Sequence, residues 1–248
     1  MLWGAQMPKY FFDPNQLQGD TITLDCDTAH HLIHVLRVAP GELIVLCDGA
    51  ETDYFAKIEL VNSKKTFVVC KITEHVPCLT EPETRVTLYQ GLPKGDKLDI
   101  IIQKCVELGI AGIVPVETAR SVVRIKKEAK KTVRHQRIAM SAASQSMRGI
   151  IPTVGNAVTL KDALLHQNSA HLTLVAYEEE TRSLKSALKE HASPSHINIW
   201  VGPEGGFEKE EIVALTSQGA IPVSLGKRIL RTETAAISML AQVLCLVE

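Results

Sequence analysis

An α/β fold with a mostly parallel sheet, preceded by a smaller β-rich domain, is what the sequence predicts, on three observations. From residue 84 onward, short apolar runs alternate with helical patterns, an order that lays strands side by side in parallel. Between Tyr10 and Ile72, short apolar runs are separated by Gly, Asp, Asn and Lys turn signals, which marks a β-rich unit. Near the C-terminus, two apolar runs, Ile197 to Val201 and Ile221 to Leu225, each end in a loop of unusual composition. As neighbouring parallel strands they would open the crevice in which α/β sheets bind ligands.

Taken in order, TITLD, ELIVLCDG, DYFAKIEL and KTFVVCKI read as the N-terminal strands. One helix interrupts them, with Thr28 as the N-cap of AHHLIHVLR and with Leu32, Val35 and Leu36 on one face. Its histidines, His30, His31 and His34, have no carboxylate or thiol cluster beside them in sequence, so no metal is expected. Glu74 to Glu83 is rich in proline and acids and reads as a linker, dividing residues 1–73 from residues 84–248. VTLYQ is then a strand, followed by a helix from Asp96 to Leu108 with Leu98, Ile101, Ile102, Cys105 and Leu108 on a stripe and Gly109 closing it. The alternation continues through IAGIVPV, a basic helix, HLTLVA, a short helix near Leu184 to Glu190, INIWV, a helix from Glu208 to Ser217, IPVSL and a final helix from about Glu233 to Val247. That last helix is apolar nearly all round, and a second apolar face asks for a second partner, so a homodimer is expected.

Composition narrows the class of protein. A chain of 248 residues with 45% hydrophobic content has enough apolar mass for one large or two modest cores. Thr234 to Val247 is too short to span a bilayer and is interrupted by Ser238 and Gln242, so no membrane partner is expected. The opening MLWGAQMPKYFF lacks a charged segment followed by a sustained apolar one, so no signal peptide is expected, and Met1 to Gln6 read as an extension. Cys26, Cys47, Cys70, Cys78, Cys105 and Cys245 show no C-x-x-C and no zinc spacing. They read as reduced thiols of a cytoplasmic protein.

The two C-terminal loops carry no G-x-G-x-x-G and no G-x-x-x-x-G-K-[ST], the patterns that cradle pyrophosphates and triphosphates. A nucleoside without phosphates suits them better: glycines let backbone approach a planar ring, and Leu225, Ile229 and Leu230 supply apolar walls. Between Arg120 and Arg148 stand nine basic residues, Arg124, Lys126, Lys127, Lys130, Lys131, Arg134 and Arg137 among them, against the single acid Glu128. In a chain whose formal net charge is −1, such a run points to contact with nucleic-acid phosphates.

Gly202-Pro203-Glu204-Gly205-Gly206 together with SLGKRILRTETAA, preceded by KGDKLDIIIQKCVELGI and ASQSMRGIIP, closely resembles the bacterial 16S ribosomal RNA (uracil-N3)-methyltransferase family, RsmE, of the SPOUT class. The resemblance runs from about Pro8 to the C-terminus. It implies a trefoil-knotted, mostly parallel methyltransferase sheet behind an N-terminal PUA-like β-barrel domain that contacts RNA. It also implies S-adenosylmethionine as methyl donor, small-subunit ribosomal RNA as substrate and a homodimer. Carried onto this chain, the donor site comprises Val201, Gly202, Pro203, Gly205, Leu225, Gly226, Ile229 and Leu230, with Thr232 and Thr234 bonding the donor or capping the last helix; Arg37, Gln145 and Arg148 face RNA, joined by Arg120 and Arg124 of the basic run. Arg231 is expected to stabilise the anion left when uracil N3 loses its proton or to form a salt bridge with Glu204 or Glu233, and Glu204 to attract the sulfonium, to help deprotonate uracil or to hold its loop. Where the family pattern more often has a carboxylate, this chain has Ser144 before Gln145. The same loops also suit a related SPOUT enzyme acting on a ribose 2′-hydroxyl or another base, or a non-catalytic RNA-binding assembly factor.

Overall fold

The computed structural model describes residues 9–125, 129–166, 170–191 and 194–248. These described residues form two compact units, one of those up to Glu81 together with 143–151, the other of those within 82–142 and 152–248.

The first unit is built on a six-stranded sheet. Its strands are β1 (Lys9–Phe11), β2 (Leu17–Gln18), β3 (Thr21–Leu24), β4 (Leu43–Cys47), β5 (Thr52–Asn62) and β6 (Phe67–Pro77), in spatial order β1-β4-β5-β6-β3-β2. All pairings are antiparallel except that of β1 with β4. Alternation sets the faces: Ile22 and Leu24 of β3, and Ala56 and Ile58 of β5, point into a core shared with Leu32, Ile44, Leu46, Val68 and Cys70, while the residues between them face out. The predicted helix is a short α1 (Cys26–His30) continued by a π-helical turn, His31–Leu36. Asp25, not Thr28, occupies the N-cap position. The wider turn changes the buried face as well. Ala29, Leu32 and Ile33 go in, whereas Val35 and Leu36, expected inside, are 61% and 44% exposed.

The expected linker is corrected at its start. Glu74 to Pro77 belong to β6, because β5 and β6 are each eleven residues long and pair to the end, Thr52 opposite Pro77. Residues 143–151 complete this unit through polar ties. Lys9 Nζ lies 2.6 Å from the Asp53 carboxylate and donates to the Met147 carbonyl at 3.1 Å, and Thr80 Oγ1 donates to the same carbonyl at 2.8 Å.

The second unit carries the strands β7 (Arg85–Gly91), β8 (Gly112–Glu117), β9 (Thr153–Val154), β10 (Val158–Thr159), β11 (Leu172–Ala176), β12 (His196–Val201) and β13 (Ile221–Val223). All its pairings are parallel, in the order β10-β8-β7-β12-β11-β13 with β9 beside β8. Its helices are α2 (Lys97–Glu107), α3 (Ala129–Gln145, in this unit up to Ala142), α4 (Leu160–His166), α5 (Leu184–Lys189), α6 (Lys209–Ser217) and α7 (Thr232–Val247). β7 and β12 are buried along nearly their whole length and hold the centre, as continuous apolar runs should. α2 buries Leu98, Ile101, Ile102, Cys105 and Val106, and α7 buries Ala236, Met239, Leu240, Val243 and Leu244 against α2, α5 and the central strands.

One expectation about this sheet is overturned. β12 and β13 are not neighbours: β11 lies between them and pairs with both. Because β12 is the more apolar strand, it sits beside β7 in the middle of the sheet, and β13 is left at the edge.

Candidate active site

Three strand ends meet above this sheet. Ala176 to Glu178 after β11, Val201 to Gly206 after β12, and Ser224 to Leu230 after β13 line a single cavity of about 230 Å³, with Thr232 and Ala235 of α7 closing it. Val201, Leu225, Ile229, Leu230 and Ala235 make the apolar wall, and Glu178, Glu204, Lys227 and Arg228 the charged rim.

The loop after β12 is held by its neighbours. Gly91 ends β7 so close to Pro203 that a Cβ there would lie 2.5 Å from the proline Cδ, and only glycine admits that approach. Gly206 has φ +69°, in the left-handed region, and turns the chain toward α6. Fully buried Gln90 donates from Nε2 to the carbonyls of Gly91 at 2.9 Å and Gly202 at 3.3 Å and to Thr232 Oγ1 at 2.9 Å. The Thr232 hydroxyl donates in turn to the Gly202 carbonyl at 2.6 Å, so the start of α7 is tied directly to the loop.

Of the residues expected at the donor, Val201, Gly202, Pro203, Gly205, Leu225, Gly226, Ile229, Leu230 and Thr232 all line this cavity. Thr234 does not; it is exposed on the first turn of α7. Gln90, Gly91, Tyr177 and Glu178 were not foreseen. The signal for Glu178 was present in its position directly after a predicted strand, at the edge where parallel sheets place ligands.

Glu204 stands at the rim, and its carboxylate is taken by Lys97 Nζ at 2.9 Å and by the backbone N–H of Lys94 at 3.1 Å. Lys97 also reaches Glu233 on α7 at 3.3 Å, bridging loop and helix. Burial works to raise the Glu204 carboxyl, but Lys97 and the backbone N–H groups outweigh it and hold it below the ordinary carboxylate value. Its contribution to stability is therefore complete above the usual carboxylate range and is lost as pH falls through the lowered value. A carboxylate so held is a poor proton acceptor. Arg231 occupies the N-cap position of α7 with an exposed side chain and makes no ion pair among the described residues.

Residues 80–244 match the family model described as RNA methyltransferase domain, and residues 24–72 the one described as RNA methyltransferase PUA domain. The ribosomal RNA small subunit methyltransferase E of Bacillus subtilis is 35% identical over 249 residues, covering 96% of each chain. This chain belongs to the ribosomal RNA small subunit methyltransferase E family. Among solved structures, the methyltransferase E of Neisseria gonorrhoeae bound to S-adenosylmethionine superposes with a TM-score of 0.87 at 34% identity, over 97% of this chain and 98% of that one. A methyltransferase from Legionella pneumophila in complex with S-adenosylmethionine gives 0.86 at 31% identity, over 96% and 97%.

For a member of the methyltransferase E family, the residues expected at RNA divide into free and committed groups. Arg37 is exposed at the end of the π-helical turn, with φ +55°, and Gln145 is exposed at the end of α3. Arg124 is exposed and pairs with Glu117 at 3.1 Å. Arg120 instead braces the site. It grips Glu208 through Nε at 2.9 Å and Nη2 at 3.0 Å and donates to the Gly205 carbonyl at 2.8 Å. Arg148 is a correction: at 2% exposure it cannot reach a phosphate. Its Nε lies 3.2 Å from Glu81 Oε1 and its Nη2 meets the other oxygen, because a buried guanidinium needs a carboxylate partner. Lys126 and Lys127, from the predicted basic cluster, lie outside the described residues, as does the side chain of Lys130. Among the described residues, no cluster of His, Cys, Asp or Glu is arranged to hold a metal ion, and no helix is long and apolar enough to cross a membrane.

Proposed function

We propose that this protein transfers a methyl group from S-adenosylmethionine to N3 of a uridine in the 16S ribosomal RNA of the small subunit. The observation that carries the reading is the convergence of the turns after Val201 and Leu225 on one cavity, in a chain of the methyltransferase E family. The cavity fits the donor: it is apolar where an adenine needs walls, lined by backbone where the ring needs hydrogen bonds, and rimmed by acids and bases for the ligand's polar end. S-Adenosylmethionine supplies the electrophilic methyl group, its sulfur leaving as a neutral thioether.

What remains for the chain is to bind, align and exclude water. Val201, Gly202, Pro203, Gly205, Leu225, Gly226, Ile229 and Leu230 hold the donor, and Thr232 keeps their loop against α7. Thr234 supports that turn from outside. N3 gives up its proton to water as it becomes nucleophilic, and Arg231, with the positive N-terminal end of α7 behind it, stabilises the uracil anion so formed. Glu204, with its proton affinity lowered, holds the loop through Lys97. Arg37, Arg124 and Gln145 meet the RNA, the first unit acting as the RNA-binding domain and the second as the catalytic one. The exposed face of α7 pairs with a second copy, and the enzyme works in the cytoplasm, where its substrate is assembled.

The test is nucleoside analysis of 16S ribosomal RNA from cells lacking the protein. N3-methyluridine is expected to disappear, to return with the wild-type gene and not to return with Arg231→Ala. Retention of the mark in the deletion strain refutes the assignment.

A further inference from the structure

The acids around the cavity are nearly all spoken for. Glu204 and Glu233 share Lys97, Glu208 is held by Arg120, Glu180 accepts from the N–H groups of Thr181 and Arg182, and Glu179 lies 3.6 Å from Lys209. Glu178 is different. It lines the cavity, and its carboxylate has no hydrogen bond or ion pair to any described residue. Its carboxylate is exposed and lies beside Gly206, where an added Cβ would meet Oε1 at 2.7 Å and Oε2 at 3.3 Å, and it acts electrostatically on Arg120 without pairing with it. It stands just past the end of β11, the strand between the two whose loops form the walls, and so on the rim between those two loops.

We infer that Glu178 is the ribose-recognising residue of the donor site, its two carboxylate oxygens accepting from the 2′- and 3′-hydroxyls. The inference rests on the cavity being the donor site. The donor has three groups that a carboxylate can meet: a sulfonium, an ammonium and a diol. The sulfonium is no hydrogen-bond donor, and its charge disperses as the methyl leaves. A carboxylate fixed on it would favour the bound donor over the transition state. The ammonium ends a flexible tail, whereas the ribose is the middle of the ligand, and Glu178 stands between the two wall-forming loops. A diol also matches a carboxylate with both oxygens free, and acids at parallel-strand ends take nucleoside hydroxyls in other α/β sheets.

Calorimetry on the full chain tests this with three probes: S-adenosylhomocysteine, its 2′-deoxyribose analogue, and 5′-methylthioadenosine, which keeps the diol but lacks the amino-acid tail. Glu178→Ala should keep its melting temperature, since the carboxylate is exposed and no hydrogen bond or ion pair to a described residue is lost. It should weaken S-adenosylhomocysteine and methylthioadenosine alike, by roughly 10- to 100-fold, the worth of a hydrogen bond to a charged group. The 2′-deoxy analogue should bind wild type more weakly, with little further loss in Glu178→Ala. A loss confined to S-adenosylhomocysteine assigns the carboxylate to the ammonium and overturns the inference, as does no loss at all. Failure of the donor-site reading shows itself separately: Leu225→Arg, which fills the cavity, would leave wild-type affinity for S-adenosylhomocysteine unchanged.

Discussion

Arg148 and Arg231 are the same side chain put to opposite uses, and only their surroundings distinguish them. Arg148 is buried against Glu81, whose carboxylate also accepts from the N–H of Gly149 at 2.8 Å and of Ile150 at 3.3 Å. The pair thereby fastens residues 143–151 into the first unit. Arg148→Ala strands a buried carboxylate, so urea unfolding should show a loss of about 3–5 kcal/mol. An Arg148→Ala protein of unchanged stability but weakened RNA affinity would restore the residue to the RNA surface. Both arginines sit in motifs legible in the sequence. A motif records the identity of a side chain, and burial and partners come from residues more than sixty positions away.

At the level of elements, hydrophobic period was a good guide where one face is buried. The strands β3 to β6, the stripe of α2 as far as Cys105 and the run of α7 fall where alternation and 3.6-residue spacing put them, while Leu108, expected on the same stripe, lies past the end of α2 and is 37% exposed. It was a poor guide where a turn departs from 3.6 residues, as at His31–Leu36, since the wider π turn rotates Val35 out and Ile33 in. The basic helix is present as α3. Lys131, Arg134 and Arg137 are exposed and spaced three apart, so they share a face, while Ala139 and Ala142 are buried. Arg134 is tethered to Asp99 of α2, which orients that face. If the face tracks phosphates, log affinity for ribosomal RNA falls with log salt, and Lys131→Glu with Arg137→Glu should lower the slope by roughly 1.4 to 1.8, two contacts' worth. Filter binding across salt concentrations measures it; an unchanged slope would leave α3 as a solvated helix only.

For the molecule as a whole, the remaining question is what covers α7. Its buried stripe meets α2, α5 and the sheet, yet Cys245 and Leu246 stay exposed, and Ala241 and Gln242 border an apolar hollow with Leu184 and Leu225. An apolar face of this kind on a C-terminal helix fits a twofold pairing with a second copy. Light scattering should give twice the chain mass for wild type and a single mass for Cys245→Arg, whose charge lies on that face. A monomeric wild type at micromolar concentration contradicts the pairing.

Although it left β1, β2, β9, β10 and α4 unmarked, the sequence by itself determined the class of fold, the succession of the longer strands and helices, the loops that line the cavity and the family to which they belong. All of these depend on neighbours within a few residues or on short motifs. The tertiary structure alone decided that β11 stands between β12 and β13, that Gln90 and Gly91 brace the loop from another strand, that Arg148 is internal, and that Glu178 lines the cavity with no hydrogen bond or ion pair among the described residues. Strand order and pairing of charges are settled by contacts between distant segments, and the free energy of those contacts leaves no periodic trace along the chain.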